Sequence, residues 1–208
     1  MRMRVFSLVL IAAGVAMVGC GGDPPTADLN AAKQALDAAR AAGAERFASS
    51  DYSAAQSAYS QAESTVNSES EKLFKNFEQA TSQIADAKSK ADRAKSSAGS
   101  EKNRQKGSAD GVIAAAEAAI SAARSSLDSA PSGKGTEADI EQLRADLSGA
   151  DADLGAARSA VSSENFADAE TKAKNADHKA GQVANGVQMA TQKYNDMVEK
   201  MRPWYDRI

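Results

Sequence analysis

The sequence predicts an all-α protein made of elongated, antiparallel, coiled-coil-like helices, arranged as two helical hairpins that include one very long helix. Three observations support this fold class. Ala, Ser, Lys, Asp, Glu and Gln dominate from Ala27 to Arg202, a composition typical of helices. Proline is absent between Pro25 and Pro131 and again until Pro203. Apolar residues recur in alternating steps of three and four, whereas strands would need a two-residue alternation.

The apolar repeat predicts which side chains face a partner helix. A seven-residue repeat keeps one seam on the partner as two helices supercoil. In the first half of the chain it falls on Tyr52, Tyr59, Val66, Leu73, Ala80, Ala87 and Ala94, and then on Ile113, Ala116, Ile120, Ala123, Leu127 and Ala130. In the second half it falls on Ile140, Leu143, Leu147, Ala150, Leu154, Ala157 and Val161, and it continues from Phe166 to Met201. A methyl group buries little surface, so larger residues, Leu73 and Phe77 among them, are expected to supply most of the core.

The first predicted hairpin covers residues 27–130, with a long second helix. Its first helix runs from about residue 27 to residue 48, and the polar residues 49–51 turn the chain and offer an N-cap. The second helix starts at Tyr52. Residues 96–111 contain three glycines and lack large apolar side chains, so this stretch either breaks the second helix or lets it continue to about residue 129.

The second predicted hairpin covers residues 137–202 and follows a loop at residues 131–136 that contains proline and glycine. Its two helices are separated by Ser163-Glu164-Asn165, and residues 203–208 form an aromatic tail. The polar break and the aromatic residue after it align with those of the first hairpin. The chain therefore carries an internal repeat.

The N-terminal segment is built like a bacterial lipoprotein export signal. Arg2 and Arg4 precede an apolar run at residues 5–18, which is shorter than the roughly 20 residues that span a bilayer. Met17-Val18-Gly19-Cys20 resembles the lipobox of bacterial prolipoproteins, with Met17 at the usual leucine position. The resemblance implies that residues 1–19 are a cleaved signal peptide and that Cys20 carries lipid. The alternatives are an ordinary secretory signal with a chance cysteine, or a short membrane anchor.

The same resemblance implies a location. Residues 20–26 would be the lipidated cysteine and a short tether. In bacteria with two membranes the residue after the cysteine directs sorting, and Gly21 implies the periplasmic face of the outer membrane. The net charge of −3 becomes −5 when Arg2 and Arg4 are removed, and this acidic balance argues against a nucleic-acid partner.

The internal repeat also resembles a known family. Its first copy, Tyr52-x-x-Ala55-x-x-x-Tyr59-x-x-Ala62, resembles the second helix of a tetratricopeptide repeat, whereas the second copy has Ala173 at an aromatic position. The signal and both hairpins together resemble Ala-rich, helical-hairpin lipoproteins of bacteria with a tetratricopeptide-like domain of unknown function. This resemblance implies an envelope location and no known reaction.

Candidate functional residues are few, and no catalytic arrangement emerges from the sequence. His178 is the only histidine, Gly133-Lys134-Gly135-Thr136 lacks the spacing of a phosphate-binding loop, and no serine has a matching His and acid. We therefore expect a non-enzymatic protein without a cofactor, apart from the covalent lipid on Cys20.

Two surface features are candidates for interaction. One is a basic segment that suits an anionic envelope surface, although solvated helix faces with ion pairing would show the same pattern. Its members are Lys88, Lys90, Arg93, Lys95, Lys102, Arg104 and Lys106. The other is the tail, where Trp204 and Tyr205 either fold back onto the helices or anchor a partner.

These observations predict a lipid-anchored cell-envelope protein that acts as a non-catalytic structural spacer or as a scaffold. Its expected partners are the membrane, reached through the lipid, and other envelope proteins or a second copy of the chain. The alternative is a tetratricopeptide-like module that binds peptides or proteins within an envelope assembly or transport machine.

Overall fold

The computed structural model describes residues 23–133 and 135–202, and within these residues all the regular secondary structure is α-helical. The predicted all-α fold class is confirmed. The helices are α1 (Thr26–Ala41), α2 (Ala44–Phe47), α3 (Ser49–Ser70), α4 (Glu78–Asp128), α5 (Glu137–Ser162) and α6 (Phe166–Met201). The predicted very long helix is α4, which contains 51 residues.

The chain divides into two compact units, the first ending at Gly99 and the second beginning at Ser100. Helix α4 contributes its N-terminal part to the first unit and its C-terminal part to the second. It is continuous through residues 96–111, where the sequence left a break open, and none of its residues between Ala98 and Ala109 is fully buried. Polar, glycine-containing sequence therefore marks the boundary between two cores without ending the helix.

One core cluster of the first unit joins α1, α3 and the start of α4. The buried residues of this core are Ala32, Ala62, Val66, Ala80 and Ile84, and the half-buried Leu29, Tyr59 and Phe77 pack against them. Because Leu29 lies in the first turn of α1 and Val66 in the last turns of α3, these two helices run antiparallel. Residues 23–25, the end of α3 and the start of α4 therefore lie at the same end of the first unit.

The first predicted helix ends earlier than expected. Helix α1 stops at Ala41, and Gly43 has a φ of 82°, in the left-handed region that glycine adopts without strain. Its amide donates to the Arg40 carbonyl at 2.8 Å, and the short helix α2 follows. The apolar repeat passes through this position without signalling the turn, so the prediction of one helix to residue 48 was wrong.

The predicted second helix is also interrupted, because residues 71–77 form a loop between α3 and α4. Leu73, which the seven-residue repeat assigned to the buried seam, is 91% exposed, so that assignment was wrong. An Asx-type turn starts α4, in which the Glu78 amide donates to Asn76 Oδ1 at 3.0 Å. Val66 and Ala80, on either side of the loop, are fourteen residues apart and both buried, so the repeat hides the break.

The core of the second unit joins the C-terminal part of α4 with α5 and α6. Its buried residues are Ile113, Ala116, Ile120, Ala123, Leu127, Ile140, Leu147, Ala150, Leu154, Ala157, Ala173, Ala176, Ala180, Val183, Val187 and Ala190. These positions are members of the predicted seams. The small side chains let the helices approach at the short end of the usual 8–10 Å interaxial range.

Ion pairs between α4 and α5 show that these helices are antiparallel. Arg124 Nη2 lies 2.6 Å from Asp151 Oδ2, and Arg158 Nη2 lies 2.6 Å from Glu117 Oε1. Glu117 lies seven residues before Arg124 in α4, whereas its partner Arg158 lies seven residues after Asp151 in α5.

Helices α5 and α6 are antiparallel as well, since Asp139 pairs with Lys193 and Asp153 with Lys179, both at 2.7 Å. The turn between them includes Glu164, whose φ of 59° is in the left-handed region. The Asn165 amide donates to the Ala160 carbonyl at 2.8 Å and the Glu164 amide to the Val161 carbonyl at 2.9 Å, the pattern of a Schellman motif.

Candidate functional site

Three of the predicted functional residues, Cys20, Trp204 and Tyr205, lie outside the described residues. The structure does describe how the chain enters α1. The Thr26 amide donates to the Pro24 carbonyl at 2.7 Å and the Leu29 amide to the Pro25 carbonyl at 3.0 Å. Both prolines are therefore already tied to the first turn of α1, and the six residue-to-residue steps from Cys20 to Thr26 can span at most about 20 Å.

Carboxylates lie beside most of the predicted basic residues. Within the described residues the pairs are Lys88 with Asp92, Lys90 with Asp86, Lys102 with Glu164, Arg104 with Glu101, and Lys106 with Asp110. In the same part of the chain, Arg93 and Lys95 show no carboxylate within ion-pair distance. Three of the partners, Asp86, Asp110 and Glu164, lie outside residues 88–106, the range that the seven basic residues span.

The basic residues also fall on different sides of α4. With 3.6 residues per turn, Lys88 and Lys95 lie on one side of the helix in the first unit, whereas Lys90 and Arg93 lie nearly opposite. In the second unit Arg104 lies nearly opposite Lys102. The pairing and this distribution favour solvated helix faces over one concentrated basic surface.

Glu101 accepts hydrogen bonds from two side chains of its own helix. Arg104 Nε donates to Glu101 Oε2 at 2.8 Å, and Gln105 Nε2 donates to Oε1 at 2.8 Å. These hydrogen bonds, the one from Arg104 first, lower the pKa of Glu101 to about 2. The carboxylate therefore stays ionised well below the pH at which a free glutamate takes up its proton.

This pKa predicts a measurable pH dependence. A folded-state pKa below the unfolded value adds stability above the unfolded pKa, and this contribution is lost as the pH falls from about 4.5 to about 2. Carboxyl carbon NMR should place the Glu101 midpoint near 2. We expect the Arg104→Gln variant to move the midpoint upwards towards that of a free glutamate, and an unchanged midpoint would contradict the role of Arg104.

His178 and the glycine-containing loop at residues 133–136 show no arrangement for chemistry within the described residues. His178 is exposed, and the described residues contain no group of three or more His, Cys, Asp or Glu side chains arranged to hold a metal ion. Thr136, after the glycine-containing loop, is fully buried, and its hydroxyl donates to the Gly133 carbonyl at 3.2 Å. The Thr136 hydroxyl thus closes the turn between α4 and α5.

The exposed apolar residues of the α3–α4 loop were missed by sequence reasoning. Leu73 is 91% exposed and Phe74 is 88% exposed, and the two are adjacent. One signal was available in the sequence, because two adjacent bulky residues cannot both lie on a narrow helix seam. The lysines on both sides and the turn-forming Asn76 also favour a loop at this position.

Comparisons with protein-family models, curated proteins and solved structures find no match to this chain. A search of the described helices for a segment long and apolar enough to cross a membrane also finds none.

Proposed function

We propose that this chain is a lipid-anchored, non-catalytic structural spacer or scaffold of the cell envelope, attached through Cys20 to the periplasmic face of the outer membrane. The main support for a non-catalytic role is the closed packing of the helices in the second unit. Its three helices bury their apolar seams against one another, and Val183 at their centre is completely buried. The outward faces of these helices carry ion pairs.

The anchor is supported by the sequence around Cys20. A positively charged start, a short apolar run and Gly19-Cys20 are the parts that a lipoprotein signal requires. The described chain becomes helical at Thr26, so a lipid on Cys20 would hold the first unit close to the bilayer surface. Two or three acyl chains give durable attachment, whereas one chain gives only marginal binding.

The same packing weighs against the alternative of a tetratricopeptide-like binding module. Such repeat proteins stack helix pairs and use an extended concave surface to bind partners. In the second unit the helices α4, α5 and α6 instead share one closed core. This arrangement supports a spacer or scaffold that acts through its outer faces.

Labelled palmitate tests the anchor. We expect label in the wild-type protein and none in Cys20→Ser, because acylation requires the thiol. Met17→Leu, which restores the usual lipobox leucine, is the matched control and should keep the label. Persistent labelling of Cys20→Ser would refute lipidation at this residue.

Photo-crosslinking in cells tests the scaffold. A photoreactive amino acid at the exposed positions Arg93 and Gln182 should give adducts with discrete envelope proteins, identified by mass spectrometry. The same amino acid at the buried Phe166, where it replaces an aromatic ring, is the control and should give none. Recovery of self-adducts alone from the exposed positions would overturn the scaffold role and leave the spacer.

A further inference from the structure

We propose that Leu73 and Phe74, the apolar tip of the α3–α4 loop, insert into the bilayer to which Cys20 tethers the chain and form a second membrane contact. This inference rests on the proposed lipid anchor. It assigns a role to the largest exposed apolar side chains of the first unit, which the described core does not use.

Hydrogen bonds on both sides of the tip fix the conformation of the loop. Lys72 Nζ donates to Glu69 Oε1 at 2.6 Å, and the Asn76 amide donates to Glu69 Oε2 at 3.4 Å, so one carboxylate holds both sides of the tip. These hydrogen bonds, chiefly that from Lys72, lower the pKa of Glu69 and keep it charged. Phe77 packs against the core on the far side. The loop is therefore fixed with Leu73 and Phe74 pointing away from the protein.

The position of the tip fits a bilayer. Leu29, Val66 and Phe77 belong to one core cluster, which places the start of α1, the end of α3 and the loop at the same end of the first unit. The tether from Cys20 enters at this end and spans at most about 20 Å. A membrane reached by the lipid thus lies on the side from which the tip projects.

The chemistry of the tip also fits a bilayer. Lys75 directly follows the two apolar residues, and its flexible stem lets the ammonium group reach lipid phosphates while Leu73 and Phe74 enter the acyl region. A specific protein interface usually buries on the order of 1,200 Å² or more with matched shapes, which a two-residue convex tip does not offer. A fluid bilayer accepts such a protrusion without a preformed pocket. The tether makes this weak contact effective by raising the local concentration of lipid.

The single cysteine allows a direct test on chain 20–208. Its thiol is coupled to maleimide lipid in vesicles of phosphatidylethanolamine and phosphatidylglycerol, which reproduces the tether without cellular acylation. Tryptophan emission is read from Phe74→Trp in a Trp204→Phe background. We expect a blue shift and quenching by brominated acyl chains at least threefold stronger than for Ser50→Trp. Ser50 is the matched control, since it is exposed at the opposite end of α3.

The outcomes separate this inference from the anchor itself. Equal quenching of the two tryptophan variants would overturn insertion, even if palmitate labelling of Cys20 succeeds. A blue shift without vesicles that grows with protein concentration would mean that a second copy of the chain covers the tip, and would overturn it as well. Failed palmitate labelling would refute the anchor, whatever the coupled protein does on vesicles.

Discussion

Replacing Val183 by aspartate is expected to unfold the second unit. Val183 is completely buried in α6, within the core shared with α4 and α5. An unpaired carboxylate there would cost several kcal/mol even if it took up a proton. A domain has a total unfolding free energy of about 5–15 kcal/mol, so this cost is a large part of the whole. Thermal unfolding followed by circular dichroism should show a loss of helical signal at much lower temperature.

Gln182→Asp is the matched control for this prediction. Gln182 precedes Val183 in the same helix but is exposed, so the same new charge stays in water. Its effect on the free energy of unfolding should stay within about 0.5 kcal/mol. Equal destabilisation by the two variants would show that the buried seam does not hold the second unit together.

Replacing Gly99, Gly107 and Gly111 together by alanine is expected to stabilise the protein by about 2 kcal/mol. All three lie within the continuous helix α4, where glycine costs roughly 0.5–1 kcal/mol relative to alanine. A Cβ atom added at any of the three positions meets no atom within 4 Å beyond its chain neighbours and the backbone of its own helical turns, so no strain offsets the gain. Urea unfolding should show a higher midpoint with an unchanged slope.

Gly43→Ala is expected to lower the free energy of unfolding in the same urea measurement. Its φ of 82° strains any side chain, and an added Cβ would lie 3.1 Å from Phe47 Cδ2. This variant should lose about 1–2 kcal/mol. A loss of stability in the triple variant would instead mean that α4 is bent or broken between residues 96 and 111.

The seams of the second unit were predictable because the spacing of three and four holds without interruption from Phe166 to Ala190, and each predicted position of α6 in that range is buried. Beyond it the prediction went too far, since Met201 is 74% exposed. Asp139, near the start of α5, already pairs with Lys193. The last turns of α6 therefore extend past α5, and no sequence pattern within α6 reports the length of its partner.

The breaks of the first unit were not predictable from periodicity. The α3–α4 loop contains neither glycine nor proline, and the buried Val66 and Ala80 keep the seven-residue spacing across it. Its cause is local, in the Asx-type turn at Asn76 and the hydrogen bonds to Glu69. The same coincidence hid the apolar tip, because Leu73 occupies a seam position of the repeat. For Cys20, in contrast, the proposed role comes from the sequence alone.

The ion pairs between α4 and α5 favour one alignment of the two helices along their length. Shifting α5 by seven residues would keep the three-and-four spacing of its seam, with Leu154 in place of Leu147 and Ala157 in place of Ala150, so this spacing alone does not determine the register. Such a shift would place Arg124 opposite Arg144 or Arg158 instead of Asp151. Exposed pairs add at most about 1 kcal/mol each to stability, but like charges in their place are repulsive. Alanine lets these helices come close together, and the charges at the edges of the seam determine where along their length they dock.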